Sequence, residues 1–134
     1  MGSLEERECK KMTGIGGFFF RAKGPKALGL WHQQHLGVSL IPTRCEESPW
    51  QQEAAPTAFA PFKETNDYFG DTQKVRMLNF RVRDLDKIAA RLQAAGIAVE
   101  MDPQSYPSRR FARVHDPEGN PIELWQPVKP AVPR

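Results

Sequence analysis

Only two cysteines, Cys9 and Cys45, occur among the 134 residues. They set up no disulfide framework, and no Cys-x-x-Cys or Cys/His spacing suggests a structural zinc. Long apolar runs are missing too. The longest, Ile15–Phe20, contains two glycines and falls far short of the roughly 20 residues a membrane helix needs. No charged start followed by an apolar run resembles a signal peptide, so the expected location is cytoplasmic and no membrane partner is expected. Charge of one sign is not concentrated anywhere: 19 basic and 16 acidic residues interleave to a net +3. Without a basic run or a ladder of stacking aromatics, a nucleic-acid partner has no support. No serine or cysteine stands in a nucleophile elbow, so covalent catalysis has no candidate. What remains is an ordinary globular composition, 40% hydrophobic, and a length for one domain or two very small halves.

An internal repeat decides between those. Phe20, Arg21, Lys23, Leu28 and Gln33 recur, 60 residues on, as Phe80, Arg81, Arg83, Ile88 and Gln93. After a one-residue slip, Leu36-Gly37-Val38 matches Ala95-Gly96-Ile97. Each half reads as strand, turn, amphipathic helix, glycine stop and strand. Pro25 opens the first helix and Gly37 closes it. Asp84 caps the second, whose apolar face is Leu85, Ile88, Ala89 and Leu92, and Gly96 ends it. The expected organisation is a flexible leader over 1–13, one domain over 14–127 and an extended tail over 128–134. The domain divides into module one, about 14–72, and module two, about 73–127.

Alternation along strands sorts residues onto two faces. Phe18, Phe20 and Ala22 oppose Gly17, Phe19 and Arg21; Leu78, Phe80 and Val82 oppose Met77, Asn79 and Arg81. The segment DPEGN carries hairpin chemistry at Asp116, Pro117 and Gly119. Around it, Ala112 and Val114 share a face with Ile122 and Leu124. Phe111, Arg113 and His115 share the other with Glu123 and Trp125. The second, mixed face reads either as a solvated sheet surface or as a ligand cleft. Exposed Phe19, Phe111 and Trp125 would be costly on an open face, which favours the cleft.

The strings MLNFRVRDLD, AAGI and FARVHDPEGNPIELWQP resemble the second module of the vicinal oxygen chelate superfamily. Its members include glyoxalase I, extradiol dioxygenases and bleomycin resistance proteins. The stretch GIGGFFFRAKGPKALGLWHQQHLGV resembles the first module. The resemblance implies an α+β fold of two βαβββ modules whose curved mixed sheets enclose a cleft, often in a homodimer. It also implies where a catalytic metal would sit, on the first and last strands of each module. Those positions fall on Gly17, Met77 and Glu123, with a fourth not placed, near Glu64 or Asp67. Glycine offers no ligand and a thioether suits hard cations poorly, so no cofactor or metal is expected, Glu123 being the one carboxylate a divalent ion would find. A symmetric DPEGN hairpin sets Arg113 directly opposite Glu123, which makes an ion pair the competing role for that glutamate. Glu123 and His115 are the candidates for proton handling. His32 and His35, three apart, read as helix-surface or helix-end groups.

Trp50, Phe59, Phe62, Tyr68 and Phe69, in a proline-rich middle segment, are able to line or cap the cleft. Aromatics with arginines suit a flat or anionic small molecule. The expected ligand-binding set is Phe19, Arg21, Trp50, Met77, Asn79, Arg81, Phe111, Arg113 and Trp125. The leading reading is a small-molecule-binding protein without the metal site. The alternatives are a metal-dependent lyase or dioxygenase using Glu123, and a protein-interaction module.

Overall fold

The computed structural model describes residues 11–40, 46, 48–103 and 109–127. Most of the expected leader, both cysteines and the expected tail lie outside the described residues. The described elements, in chain order, are helix α1 (Pro25–Leu36), β1 (Leu78–Arg81), α2 (Leu85–Ala94), β2 (Glu100–Met101), β3 (Arg109–His115) and β4 (Pro121–Pro127). The four strands form one mixed sheet in the order β1-β4-β3-β2. β1 runs parallel to β4, and the other pairings are antiparallel. The second half thus makes a complete βαβββ unit, and the fold is α+β.

Register sets the core. Val114 pairs with Ile122 and Ala112 with Leu124, while Leu78 and Phe80 stand opposite the same two β4 residues from the other side. These apolar residues face the helices, where Leu85, Leu92, Ala112, Val114, Ile122 and Leu124 are buried together. Complete burial of such side chains is worth about 1.5–3 kcal/mol each. The α2 stripe is therefore held by contact with the sheet. Its start is fixed twice, by Asp84 accepting from the Lys87 amide at 3.1 Å and by Gln126 Oε1 accepting from Leu85 at 2.7 Å.

The DPEGN turn supplies more than a reversal. The Asp116 carboxylate, buried, accepts from the amides of Glu118 (2.8 Å) and Asn120 (2.9 Å) and from the Asn120 side chain (2.7 Å). Gly119 takes a positive φ of 79°, open to glycine at little cost. Glu118 then reaches back to α1, whose N-cap is Gly24 and lacks a capping side chain. Its two carboxylate oxygens accept from the amides of Lys23 (2.8 Å) and Gly24 (3.0 Å). An anion at this end also complements the helix dipole.

The first half departs from the repeat: its described residues form α1 but no strand. The expected strand through Phe18, Phe20 and Ala22 has no ladder pairing among the described residues. Phe18 and Phe20 are each 45% exposed and pack on one another, ring centroids 5.5 Å apart. A strand needs a neighbour to satisfy its amides and carbonyls, and among the described residues this segment has none. His32 also differs from its expected surface role. It is buried four residues after Leu28, on the inward face of α1, against the edges of Trp31 and Phe80. Burial lowers its pKa, with Asp116 opposing. His35 sits in the last turn of α1, where its carbonyl accepts from Arg91 at 2.8 Å.

Hydrogen bonds from the Gly24 and Lys23 amides hold the Glu118 carboxyl below its ordinary 4.5. A depressed folded-state value means that this stabilisation is present above pH 4.5 and fades as pH falls through the lowered value. Glu118→Gln should lower stability near neutrality and flatten its decline below pH 4.5. Urea unfolding across pH checks this; an unchanged acid profile would rule out the cap.

Candidate functional site

The face of the sheet turned away from the helices carries the chemistry. Pairing of Phe111 with Trp125, of Arg113 with Glu123, and of Asn79 and Arg81 with Glu123 and Trp125 puts all six on it. Phe111 and Trp125 stack nearly parallel, 9° between planes and 6.3 Å between centroids. The Trp125 indole nitrogen is buried without a hydrogen-bond partner among the described residues.

Segments of the first half lie along this face and engage its polar groups. Arg81 donates to the carbonyls of Pro56 (2.7 Å) and Glu53 (2.9 Å) and to the Thr57 hydroxyl (3.1 Å). Beside it, Arg83 forms an exposed ion pair with Glu53. Arg113 donates to the Tyr68 carbonyl at 2.6 Å and lies 3.7 Å from the Met77 sulfur, while its guanidinium sits 4.8 Å from the Tyr68 ring centre. Glu123 accepts from the Tyr68 hydroxyl and, at 2.7 Å, from the Asn79 side chain. The expected Arg113–Glu123 ion pair does not form. The two residues are opposite in register, but Arg113 turns to the Tyr68 carbonyl and Glu123 is taken by neutral donors.

Tyr68 is presented by a folded turn. Its amide donates to Asn66 Oδ1 at 2.7 Å, the Asn66 amide to the Lys63 carbonyl at 2.9 Å, and the Phe62 ring meets its edge at 5.8 Å. Desolvation, then the bond to Glu123, push the phenol up to about 12, so it remains a donor at neutral pH. Tyr68, Met101, Phe111, Arg113 and Glu123 line a shallow, open depression of about 220 Å³.

Of the expected ligand-binding residues, the structure brings together Met77, Asn79, Arg81, Phe111, Arg113 and Trp125. Phe19 is 83% exposed, its ring folded over Gly17, and Arg21 is exposed in the same unpaired segment. Trp50 packs edge-on to Phe80, a helix-side residue, and does not join the open face. His115, exposed, ends β3 opposite Pro121, two pairs nearer the hairpin than Arg113 and Glu123. Sequence reasoning named Tyr68 only among aromatics able to line or cap the cleft. The Asn66-x-Tyr68 spacing, suited to an Asx turn, is the local signal that fixes it. The Glu53 and Pro56 carbonyls carried no signal, since every residue has one.

Residues 17–125 match the family described as Glyoxalase-like domain. The chain belongs to that family. The chain is also similar to several solved structures. A glyoxalase family protein from Bacillus anthracis is 18% identical over 87% of this chain and 99% of its own, with a TM-score of 0.50. TnmS3, an antibiotic binding protein from Streptomyces sp. CB03234, is 28% identical over 79% of this chain and 88% of its own, at 0.48. A glyoxalase/bleomycin resistance protein from the same Streptomyces is 45% identical over 37% of this chain, at 0.33; the match spans 42% of that protein's length. No curated protein matches the chain.

The metal positions implied for this glyoxalase-like domain do not fit a divalent cation. Gly17 has no side chain, and a Cβ there would come within 3.0 Å of Phe19 Cζ. Met77 offers a thioether beside the Arg113 guanidinium, whose charge repels a cation. Both Glu123 oxygens already accept hydrogen bonds. No three His, Cys, Asp or Glu side chains converge among the described residues.

Arg81 is the clasp between the open face and residues 53–57. Arg81→Ala should speed proteolytic cleavage within that segment about tenfold or more while leaving the helical circular dichroism unchanged, by limited proteolysis of the folded chain. Equal cleavage rates in both proteins would show that the clasp holds nothing.

Proposed function

We propose that this glyoxalase-like domain binds a small aromatic molecule, anionic or rich in acceptor groups, on the open face of its sheet, and does so without a metal. The observation that carries the reading is the Phe111–Trp125 stack beside Arg81, Arg113 and Glu123, three charged groups whose hydrogen bonds go to neutral partners. Parallel rings extend readily to a third ring, by offset stacking. A guanidinium whose partners are carbonyl and hydroxyl dipoles gains when an anionic acceptor replaces them, because the new bond is charged on both sides and can be bidentate. A metal-dependent lyase or dioxygenase reading has only Glu123 of the implied ligands to work with, and no step follows from it.

Titration with 2-naphthoate, followed by tryptophan fluorescence, tests the site. Saturable quenching is expected, weakened about tenfold by Phe111→Ala, which is 1.4 kcal/mol, and unchanged by prior treatment with a chelator. Failure of a broad panel of aromatic acids to bind the folded protein would end the reading. So would a stoichiometric divalent ion, found by elemental analysis, that Glu123→Ala removes together with binding.

The expected cytoplasmic location stands as part of this proposal; the structure adds that no described helix is long and apolar enough to cross a membrane. A homodimer is proposed as well. Its support is the apolar surface of the first half, where Phe18, Phe19, Phe20, Phe59 and Phe62 are all exposed, more than an isolated chain usually leaves in water. Light scattering should give twice the chain mass of 15.2 kDa; a single-chain mass at micromolar concentration would contradict it.

A further inference from the structure

Besides its own Phe111 and Trp125, the open face holds an aromatic group brought to it by the first half of the chain. The Tyr68 ring lies 4.8 Å under the Arg113 guanidinium, while its hydroxyl donates to Glu123, whose other oxygen is fixed by Asn79. Tyr68 is also 43% exposed and comes from a turn rather than a strand of the sheet. Its contacts are therefore those of a guest, made by a phenol against groups that β1, β3 and β4 present in fixed register.

From this we infer that the site selects hydroxyaryl ligands, and that Tyr68 is the internal phenol such a ligand displaces. The inference rests on the proposed binding of aromatic molecules at this face and specifies their chemistry. A carboxylate with one oxygen held by Asn79 accepts strongly from an acidic O–H and gains nothing from an ether. The Arg113 guanidinium adds a cation over the ring, a contact that electron-rich phenols make well. The depression beside Tyr68, about 220 Å³ and bordered by Met101 and Phe111, leaves room for a second fused ring. Once the turn swings away, the Arg113 contact with the Tyr68 carbonyl is also released. A ligand carbonyl next to its hydroxyl would take that donor.

Desolvation raises the Tyr68 phenol most, and the carboxylate that accepts from it adds to the rise by opposing its ionisation, in agreement with this assignment. A guest phenol meets the same field. It is bound in its neutral form, and its O–H stays on the ligand.

The test compares 2-naphthol with 2-methoxynaphthalene, probes of the same ring system with and without the donor. Affinities are measured by calorimetry on the wild-type chain, Tyr68→Phe and Glu123→Ala. Wild type should prefer 2-naphthol by about tenfold. Tyr68→Phe keeps the ring and the turn but removes the competing hydroxyl, so 2-naphthol should bind several-fold tighter and 2-methoxynaphthalene should not change. In Glu123→Ala the preference should vanish. Equal binding of both probes to wild type and to Tyr68→Phe overturns the hydroxyaryl assignment while leaving an aromatic site in place. Binding of neither probe to any folded variant overturns the aromatic site itself. Because Tyr68→Phe removes one oxygen from a surface turn, the test does not depend on Glu123→Ala folding.

Discussion

Everything on the open face depends on the register of β3 against β4, and Asp116 pins that register. A slip of one residue would turn every side chain of a strand to the opposite face, burying Arg113 and Glu123 and exposing Val114 and Leu124. Three hydrogen bonds to one buried carboxylate, within five residues of chain, make the slipped hairpin expensive. The apolar side then closes on Leu85 and Leu92, and the remaining side chains are left facing away from the helices. The chemistry of the open face is thus a consequence of a turn that never touches it.

The same turn joins the two halves. Glu118 caps α1 from 94 residues away in sequence, and its carbonyl accepts from Lys74 at 3.3 Å. The DPEGN string that carries the family resemblance is accordingly structural. It sets a hairpin and anchors a helix. Its presence argues for a fold, whereas function has to be argued from Arg81, Arg113, Glu123 and their neighbours.

Much of this was legible in the sequence. Two-residue alternation gave both faces of module two, and the symmetric hairpin gave the Arg113–Glu123 and Val114–Ile122 pairings, because these rest on local rules. Contacts made by segments remote in sequence were not legible. Opposed Arg113 and Glu123 suggested an ion pair, yet the turn carrying Tyr68 arrives with a carbonyl for one and a hydroxyl for the other. His32 looked like a surface histidine because nothing in α1 alone tells which face Phe80 will cover. The repeat pairs Phe20 with Phe80, but only Phe80 has a sheet behind it. Similar residues adopt a strand where a neighbour satisfies the backbone, and the described residues supply one to Phe80 alone.

That asymmetry bears on how the proposed ligand would get in. Arg81 and Arg113 hold the first half to the open face through backbone carbonyls of Glu53, Pro56 and Tyr68. Such bonds contribute about 1.5–3 kcal/mol each at most, since water offers both groups partners when they let go. Core packing elsewhere does not change when they open, because Leu85, Val114, Ile122 and Leu124 lie on the other side of the sheet. On the proposed reading, a guest with an acceptor for each arginine and a donor for Glu123 competes with contacts on which the core does not depend. Its specificity would come from the geometry of three groups on β1, β3 and β4, and the first-half segments would set how tightly it must bind to displace them.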